Sequence, residues 1–368
     1  MKITDERLYL IALTALKGIG DVLARHLLLY FGSAADVFNA SKGQLTNAPG
    51  IGSVTVEQLW NSKTEALKRA EKELEFVEKK KIRMYGFLDE DYPHRLKECQ
   101  DAPVVFYWKG NADLNAAKII SVVGTRKYTD YGRKLTETFI ADISKMFPDI
   151  IIVSGLAYGI DVCAHRNALR NNLPTIAVLA HGLDRIYPAV HRNVASELLT
   201  HGGVLSDFMS GGDPVRENFL RRNRIIAGLA DATIVVESAV KGGSLVTADI
   251  AFSYGRDVFA FPGRTSDERS AGCNRLIQMN KAALINSAAD MVKLMCWDVD
   301  LVAAPEQQQA LKFPDNPIIR LLAEKGEFQI NDLAIEMDLP VHRLTSMLFE
   351  LELEGHIRAL PGGVYKLA

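Results

Sequence analysis

The chain has 368 residues, 48% of them apolar and 24% charged, and a formal net charge of −2. That length implies two or three domains with ordinary globular cores. The near-neutral total excludes a polybasic nucleic-acid binder, so any anion site must be a local patch. Cys99, Cys163, Cys273 and Cys296 lie far apart with no CxxC pair, which argues against a metal site or disulfide framework and fits a reducing cytoplasm. The amphipathic N-terminus lacks a signal-peptide core, and no apolar run reaches the ~18 residues of a membrane span. A soluble cytoplasmic protein without metal or cofactor is expected.

Residues 1–62 read as all-helical. Leu8, Ile11, Ala12 and Leu16 recur at helical spacing. Gly18-Ile19-Gly20 and Gly50-Ile51-Gly52 each stand between helical stretches. Helix, glycine turn, helix is the helix-hairpin-helix, or SAM-like, pattern. The turn amides can bond a DNA phosphate, and the same turn also serves as a plain connection between packed helices. Five Lys/Arg face five Asp/Glu in this segment, so a packing or partner role stands beside the DNA reading. Residues 63–116 begin with a highly charged helix rich in Glu–Lys pairs. Short strands and turns with Pro93 and Pro103 follow, an edge extension packed on the next domain.

Residues 117–298 alternate apolar strands (119–123, 150–153, 175–179, 203–206, 233–236, 258–260, 283–285) with helices. This predicts an α/β, Rossmann-like, doubly wound, mostly parallel sheet covered on both faces. Ligands of such sheets bind beyond the C-terminal strand ends. Glycine and polar residues gather at those tips, in 124–126, 154–161, 180–184 and 237–244. A Pro/Gln/Ala linker is expected at 299–314. Residues 315–368 predict three helices (318–323, 330–337, 340–354) and a two-stranded hairpin about Pro361-Gly362-Gly363, a winged-helix domain. It carries five Lys/Arg against nine Asp/Glu, with Glu350, Glu352 and Glu354 on the third helix. It is therefore not expected to drive DNA affinity, which needs cations at phosphates.

The chemistry concentrates in residues 216–248. Arg216, Arg221, Arg222 and Arg224 cluster there, and the turn Gly242-Gly243-Ser244 opens a helix. Guanidiniums and a helix N-terminus are two devices for holding phosphate. The first strand–helix turn is not G-x-G-x-x-G, and no Walker A loop is present, which argues against a dinucleotide enzyme. No nucleophile elbow or metal-spaced histidine pair accompanies His165, His191, Asp161 or Glu237. His165 and His191 read as packed or surface histidines and Asp161 as a helix cap. His181, at a strand tip, is a candidate phosphate or base contact. With 20 Lys/Arg against 17 Asp/Glu over 118–290, a narrow pocket holding a few phosphates of a bent single strand fits best. One or two of Arg221, Arg222 and Arg224 are expected to form structural pairs with Asp161, Asp184, Asp207 or Asp231. A nucleotide-processing enzyme on the same scaffold is the alternative. Those enzymes carry a Gly-Gly-x-Gly-Thr turn followed by a glutamate, whereas Glu237 precedes the turn here. A duplex-binding transcription factor, from the winged helix alone, is a third reading.

SVVGTR (121–126), SGLAYGID (154–161), AVLAHGLDRIYP (177–188), RRNRIIAGL (221–229), GGSLVTA (242–248) and FPG (261–263) resemble the motifs of the DNA-processing protein A family, DprA or Smf, in the family's order. This sequence departs from the family pattern at Leu220, where proline is usual before the arginines, and at Ala180-His181, where Gly-Cys is usual. The resemblance implies a non-catalytic protein that binds incoming single-stranded DNA, protects it and helps load the RecA recombinase during natural transformation. It further implies a homodimer through the Rossmann-like domain, with 250–275 a place to look for its surface. Together with the residue reading it places DNA contacts on Gly124, Arg126, Ser154, Gly155, His181, Gly182, Asn218, Arg221, Arg222, Asn223, Arg224, Lys241, Gly242, Gly243 and Ser244.

Overall fold

The computed structural model describes residues 3–297, 316–360 and 362–367. The expected linker at 299–314, and Pro361 of the expected turn, lie outside the described residues. The described residues fall into two compact units, one up to residue 297 and one from residue 316.

Helices α1 (Ile3–Ala15), α2 (Asp21–Phe31), α3 (Ala34–Asn39), α4 (Lys42–Thr46) and α5 (Ser53–Lys79) open the first unit. Gly32 ends α2 in the left-handed region, φ 85°, with its N–H on Leu28 O. Ser41 and Gln44 cap each other's backbone at the start of α4. Helix α5 corrects the expected division at 62/63, because its 27 residues run through it unbroken. The charged sequence after Trp60 keeps a buried face of Ser62, Ala66, Ala70, Glu73 and Val77. It is the second half of an amphipathic helix packed on the protein.

The chain then alternates: β1 (Arg83–Gly86), α6 (His94–Lys97), β2 (Val105–Gly110), β3 (Ile119–Val123), α7 (Asp130–Met146), β4 (Ile151–Ser154), α8 (Ile160–Arg170), β5 (Thr175–Val178), α9 (Arg192–Leu198), β6 (Gly202–Ser206), α10 (Arg216–Leu229), β7 (Ala232–Val235), α11 (Gly243–Ser253), β8 (Asp257–Ala260), α12 (Ala271–Gln278), β9 (Ala283–Leu284) and α13 (Ala288–Leu294). The strands lie in the order β1-β2-β6-β5-β4-β3-β7-β8-β9. β1 and β2 extend one edge antiparallel; the other neighbours run parallel. Side chains along β3 alternate between two cores. Ile119 and Val123 join α10, α11 and the N-terminal helices. Ile120 and Val122 join α7, α8 and α13. Burial on both faces is why these strands read as continuous apolar runs. The winding starts at β3, runs to β6 on one side and resumes at β7 on the other. That reversal puts the switch point between β3 and β7.

The second unit holds α14 (Pro317–Lys325), β10 (Glu327–Gln329), α15 (Ile330–Glu336), α16 (Val341–Leu353), β11 (Ile357–Leu360) and β12 (Val364–Leu367). Ile318, Leu322, Leu333, Leu344, Leu348 and Leu351 form its core. It is a winged helix with one strand more than expected: β10 adds to the hairpin, in the order β10-β12-β11. None of the described helices is long and apolar enough to cross a membrane.

Candidate nucleic-acid interface

At the switch point the tips of β3 and β7 are tied together. Thr125 N donates to Glu237 O at 2.7 Å, and Val236 N to Val123 O at 3.0 Å. Glycine permits the close passage: at Gly159, φ 84°, a Cβ would lie 2.1 Å from Thr125 O. Beyond the tips lies a crevice of about 550 Å³. Its walls are the 124–126 loop, one face of α10 and the first turn of α11.

Several groups there suit an anion. Gly242 N-caps α11 without a side-chain cap bond, and Gly242, Gly243 and Ser244 line the crevice. The first amides of a helix have no intrahelical acceptor and carry the positive end of its dipole. A Cβ on Gly242 would lie 2.1 Å from Ser238 Oγ, so the turn depends on glycine at that position. Arg126, Arg216 and Lys241 line the same crevice and are exposed. Among the described residues, none of these three is in an ion pair. The Arg126 guanidinium lies 5.4 Å over the Phe219 ring, and that ring meets Tyr187 edge-on at 5.9 Å. Arg216 and Phe219 were not among the expected contacts. Both were visible in the sequence, Arg216 as the first guanidinium of the cluster and Phe219 as an aromatic one helical turn before Asn223.

Other expected contacts have internal partners. Ser154 is fully buried, and its hydroxyl donates to Val122 O at 2.6 Å. Gly155 sits where a Cβ would lie 2.5 Å from Arg222 Nη2 and 2.7 Å from Asp161 Oδ2; it makes room for both buried side chains. Arg222, 3% exposed, donates to Gly155 O at 2.9 Å and to Val178 O. Burial pulls its guanidinium down to about 10, with Asp161 opposing the shift, so it stays cationic at neutral pH beneath the crevice floor. The same burial raises the Asp161 carboxyl, against the pull of Arg222. Asn223 accepts from Arg222 Nε at 3.4 Å and donates to Gly243 O at 3.5 Å, which steadies the glycine turn.

Arg224 is also internal. At 6% exposed it bonds Asp207 at 2.5 Å and Asp21 at 3.0 Å, and donates to Asp101 O. Arg221, half-exposed, reaches Asp21 at 2.8 Å. Asp21, from the N-terminal helices, was absent from the expected partners. Burial raises its carboxyl although both arginines favour the charged form.

His181 is a structural histidine, not a free contact. It is 2% exposed. Nδ1–H donates to Gly182 O at 2.9 Å and Nε2 accepts from Tyr187 N at 3.2 Å. Burial lowers its pKa and keeps the ring neutral. His181 and Gly182, with Asn218 and Arg221, line a second cavity of about 690 Å³ beside α1 and α5. Helix α10 thus divides the expected contacts between two cavities.

The carboxylates at the crevice are engaged. Glu237, 1% exposed, accepts from Thr129 N at 2.9 Å and from Thr129 Oγ1 at 2.5 Å, so it caps the start of α7. Asp161 Oδ2 accepts from Ala157 N at 3.4 Å. Among the described residues no cluster of three His, Cys, Asp or Glu is placed to hold a metal.

Comparison with known proteins bears on the whole chain. The family described as DNA recombination-mediator protein A matches residues 83–296. A DprA winged helix domain matches 302–363, and a SAM-like helix-hairpin-helix tandem matches 10–61. The DNA processing protein DprA of Streptococcus pneumoniae (strain ATCC BAA-255 / R6) is 42% identical over 212 residues, 58% of this chain and 74% of that protein. Protein Smf of Escherichia coli (strain K12) is 37% identical over 290 residues, 76% of this chain and 75% of that protein. The crystal structure of the S. pneumoniae protein aligns with a TM-score of 0.67 at 35% identity, over 80% of this chain and 98% of that one. A structure of DNA processing protein A from Helicobacter pylori, concerned with its single-stranded DNA binding mode, aligns with a TM-score of 0.52 at 28% identity. It covers 58% of this chain and 95% of that one.

Proposed function

The chain belongs to the DNA recombination-mediator protein A family, DprA/Smf, and from that premise we propose that it binds single-stranded DNA in the crevice between the tips of β3 and β7. The observation that carries the reading is the grouping of three cations, Arg126, Arg216 and Lys241, in no ion pair among the described residues, around the open start of α11 with the Phe219 ring beside them. Cations for phosphates and a ring for base stacking are the two devices of single-strand binding. The crevice's modest volume, about 550 Å³, suits a strand that can bend into it better than a duplex. The DNA-binding mode of the H. pylori relative supports the same choice.

In this reading the protein acts in DNA uptake, in the cytoplasm, as a homodimer. It protects incoming strands and helps load RecA on them. The engaged Glu237 and Asp161 carboxylates favour binding over hydrolysis. Fluorescence anisotropy with a labelled strand and a duplex of equal length tests the core of the proposal. The strand should bind more tightly, and Arg126→Ala and Lys241→Ala should each weaken it by about tenfold or more. Wild-type affinity in both variants would sink the crevice assignment. RecA loading is tested separately, by whether the protein shortens the lag of RecA assembly on a strand already coated with single-strand-binding protein.

A further inference from the structure

A third cavity, of about 450 Å³, opens beside α9 and the 183–188 loop. Its floor is apolar: Leu183, Ile186 and Leu199 pack on the core below yet stay half-buried. Its rim is cationic, with Lys109, Arg185 and Arg192 against the single carboxylate Asp184. Arg192 is exposed and, among the described residues, in no ion pair. Arg185 pairs with Asp184 at 3.1 Å and Asp213 at 3.2 Å, and Lys109 Nζ donates to Lys80 O at 2.9 Å. An apolar floor under a cationic rim is the chemistry of an unpaired nucleobase with its phosphate.

Side chains already described lead from the crevice to the loop that walls this cavity. Arg126 lies over Phe219, Phe219 meets Tyr187, and Tyr187 follows Ile186 on the loop that walls the cavity. Cation, ring and ring thus run from Arg126 through Phe219 to Tyr187, the residue next to Ile186. Resting on the proposed single-strand function, we propose that the strand leaves the crevice across Phe219 and Tyr187 and seats further nucleotides in this cavity. The bases lie on Leu183, Ile186 and Leu199, and the phosphates face Arg185 and Arg192.

Oligothymidylates of about 5 and about 20 nucleotides, the first long enough for one site and the second for both, test the path. In the full chain, the double variant Arg185→Ala/Arg192→Ala should bind the long strand about fivefold or more weakly. Removing two cations should also flatten its log–log salt dependence by about 1.4. Short-strand affinity should stay at wild type. Ile186→Asp, which places a charge on the floor, should show the same length-selective loss. Equal losses on both strands, or none on either, would overturn the path. So would an acidic peptide that binds wild type and loses affinity in both variants while the long strand does not. If wild type binds neither strand, the single-strand reading itself fails, an outcome separate from these.

Discussion

At the scale of single residues, Arg221, Arg222 and Arg224 of α10 differ in kind although they stand within four positions. Arg224 neutralises Asp207, whose side chain is 1% exposed. Removing one partner of a buried pair leaves an uncompensated charge, so Arg224→Ala should cost about 3–5 kcal/mol in urea denaturation. Arg126→Ala, at an exposed position, should change stability by no more than about 0.5 kcal/mol while weakening strand binding. The sequence exposes the cluster but not this division, because the deciding partner, Asp21, lies 203 positions from Arg224. A second residue-scale consequence concerns pH. His165 is fully buried, and its Nδ1–H bonds Thr175 Oγ1 at 2.7 Å. Burial lowers its pKa to about 3, against about 6.5 unfolded. The unfolded chain therefore binds the extra proton between those values, and the stability, complete above about 6.5, is lost as pH falls towards 3. In His165→Gln the slope of unfolding free energy against pH, between about 6 and 4, should flatten by about 1.4 kcal/mol per pH unit.

At the scale of elements, the alternating strands, their tips and the glycine turn were legible because buried parallel strands and helix-opening turns depend on local sequence. Two elements were not. The expected break at 62/63 followed a change in composition, from mixed to highly charged. What maintains α5 is one buried residue every three or four positions, and charge on the other face does not interrupt that. Glu73 on the buried face accepts from Ser210 N at 3.0 Å and Ser210 Oγ at 2.6 Å, a long-range bond no local pattern announces. Proline at exposed position 64 separates the two readings. In an unbroken helix Thr64→Pro should cost about 3 kcal/mol or more, measured by chemical denaturation, whereas a flexible junction would tolerate it. Strand β10 is not legible in the sequence because three residues, Glu327–Gln329, are too few to show alternation. Within the site, the cations and the turn were legible. The engagement of Ser154 and His181 was not, since both hydrogen-bond partners depend on how strands and loops meet.

At the scale of the whole molecule, affinity and architecture are distributed unevenly. The winged unit has its own core, yet residues 315–368 carry four more acidic than basic residues, nine against five. Its third helix, α16, bears Glu350 and Glu352, which repel phosphate. A chain ending near residue 298 should therefore keep strand affinity within about twofold, a shift well under 1 kcal/mol. Tight duplex binding by the winged unit alone, measured by gel shift, would contradict this account. The N-terminal helices differ from it, since Leu27, Leu28, Leu45 and Leu59 belong to the same core as Val153 and Val178 of the sheet. Removing them should unfold the first unit rather than trim it.

The junction of Asp21, Arg224 and Asp207 also bears on how the sequence can change over generations. A substitution that removes the Asp21 carboxylate leaves Arg224 with Asp207 alone, and one that removes the Arg224 guanidinium leaves both carboxylates to the half-exposed Arg221, 2.8 Å from Asp21 and 3.7 Å from Asp207. Neither position can drift by itself without penalty. Across homologous sequences, positions 21 and 224 should therefore vary together, while positions 126, 216 and 241 follow a separate pattern set by the strand they hold.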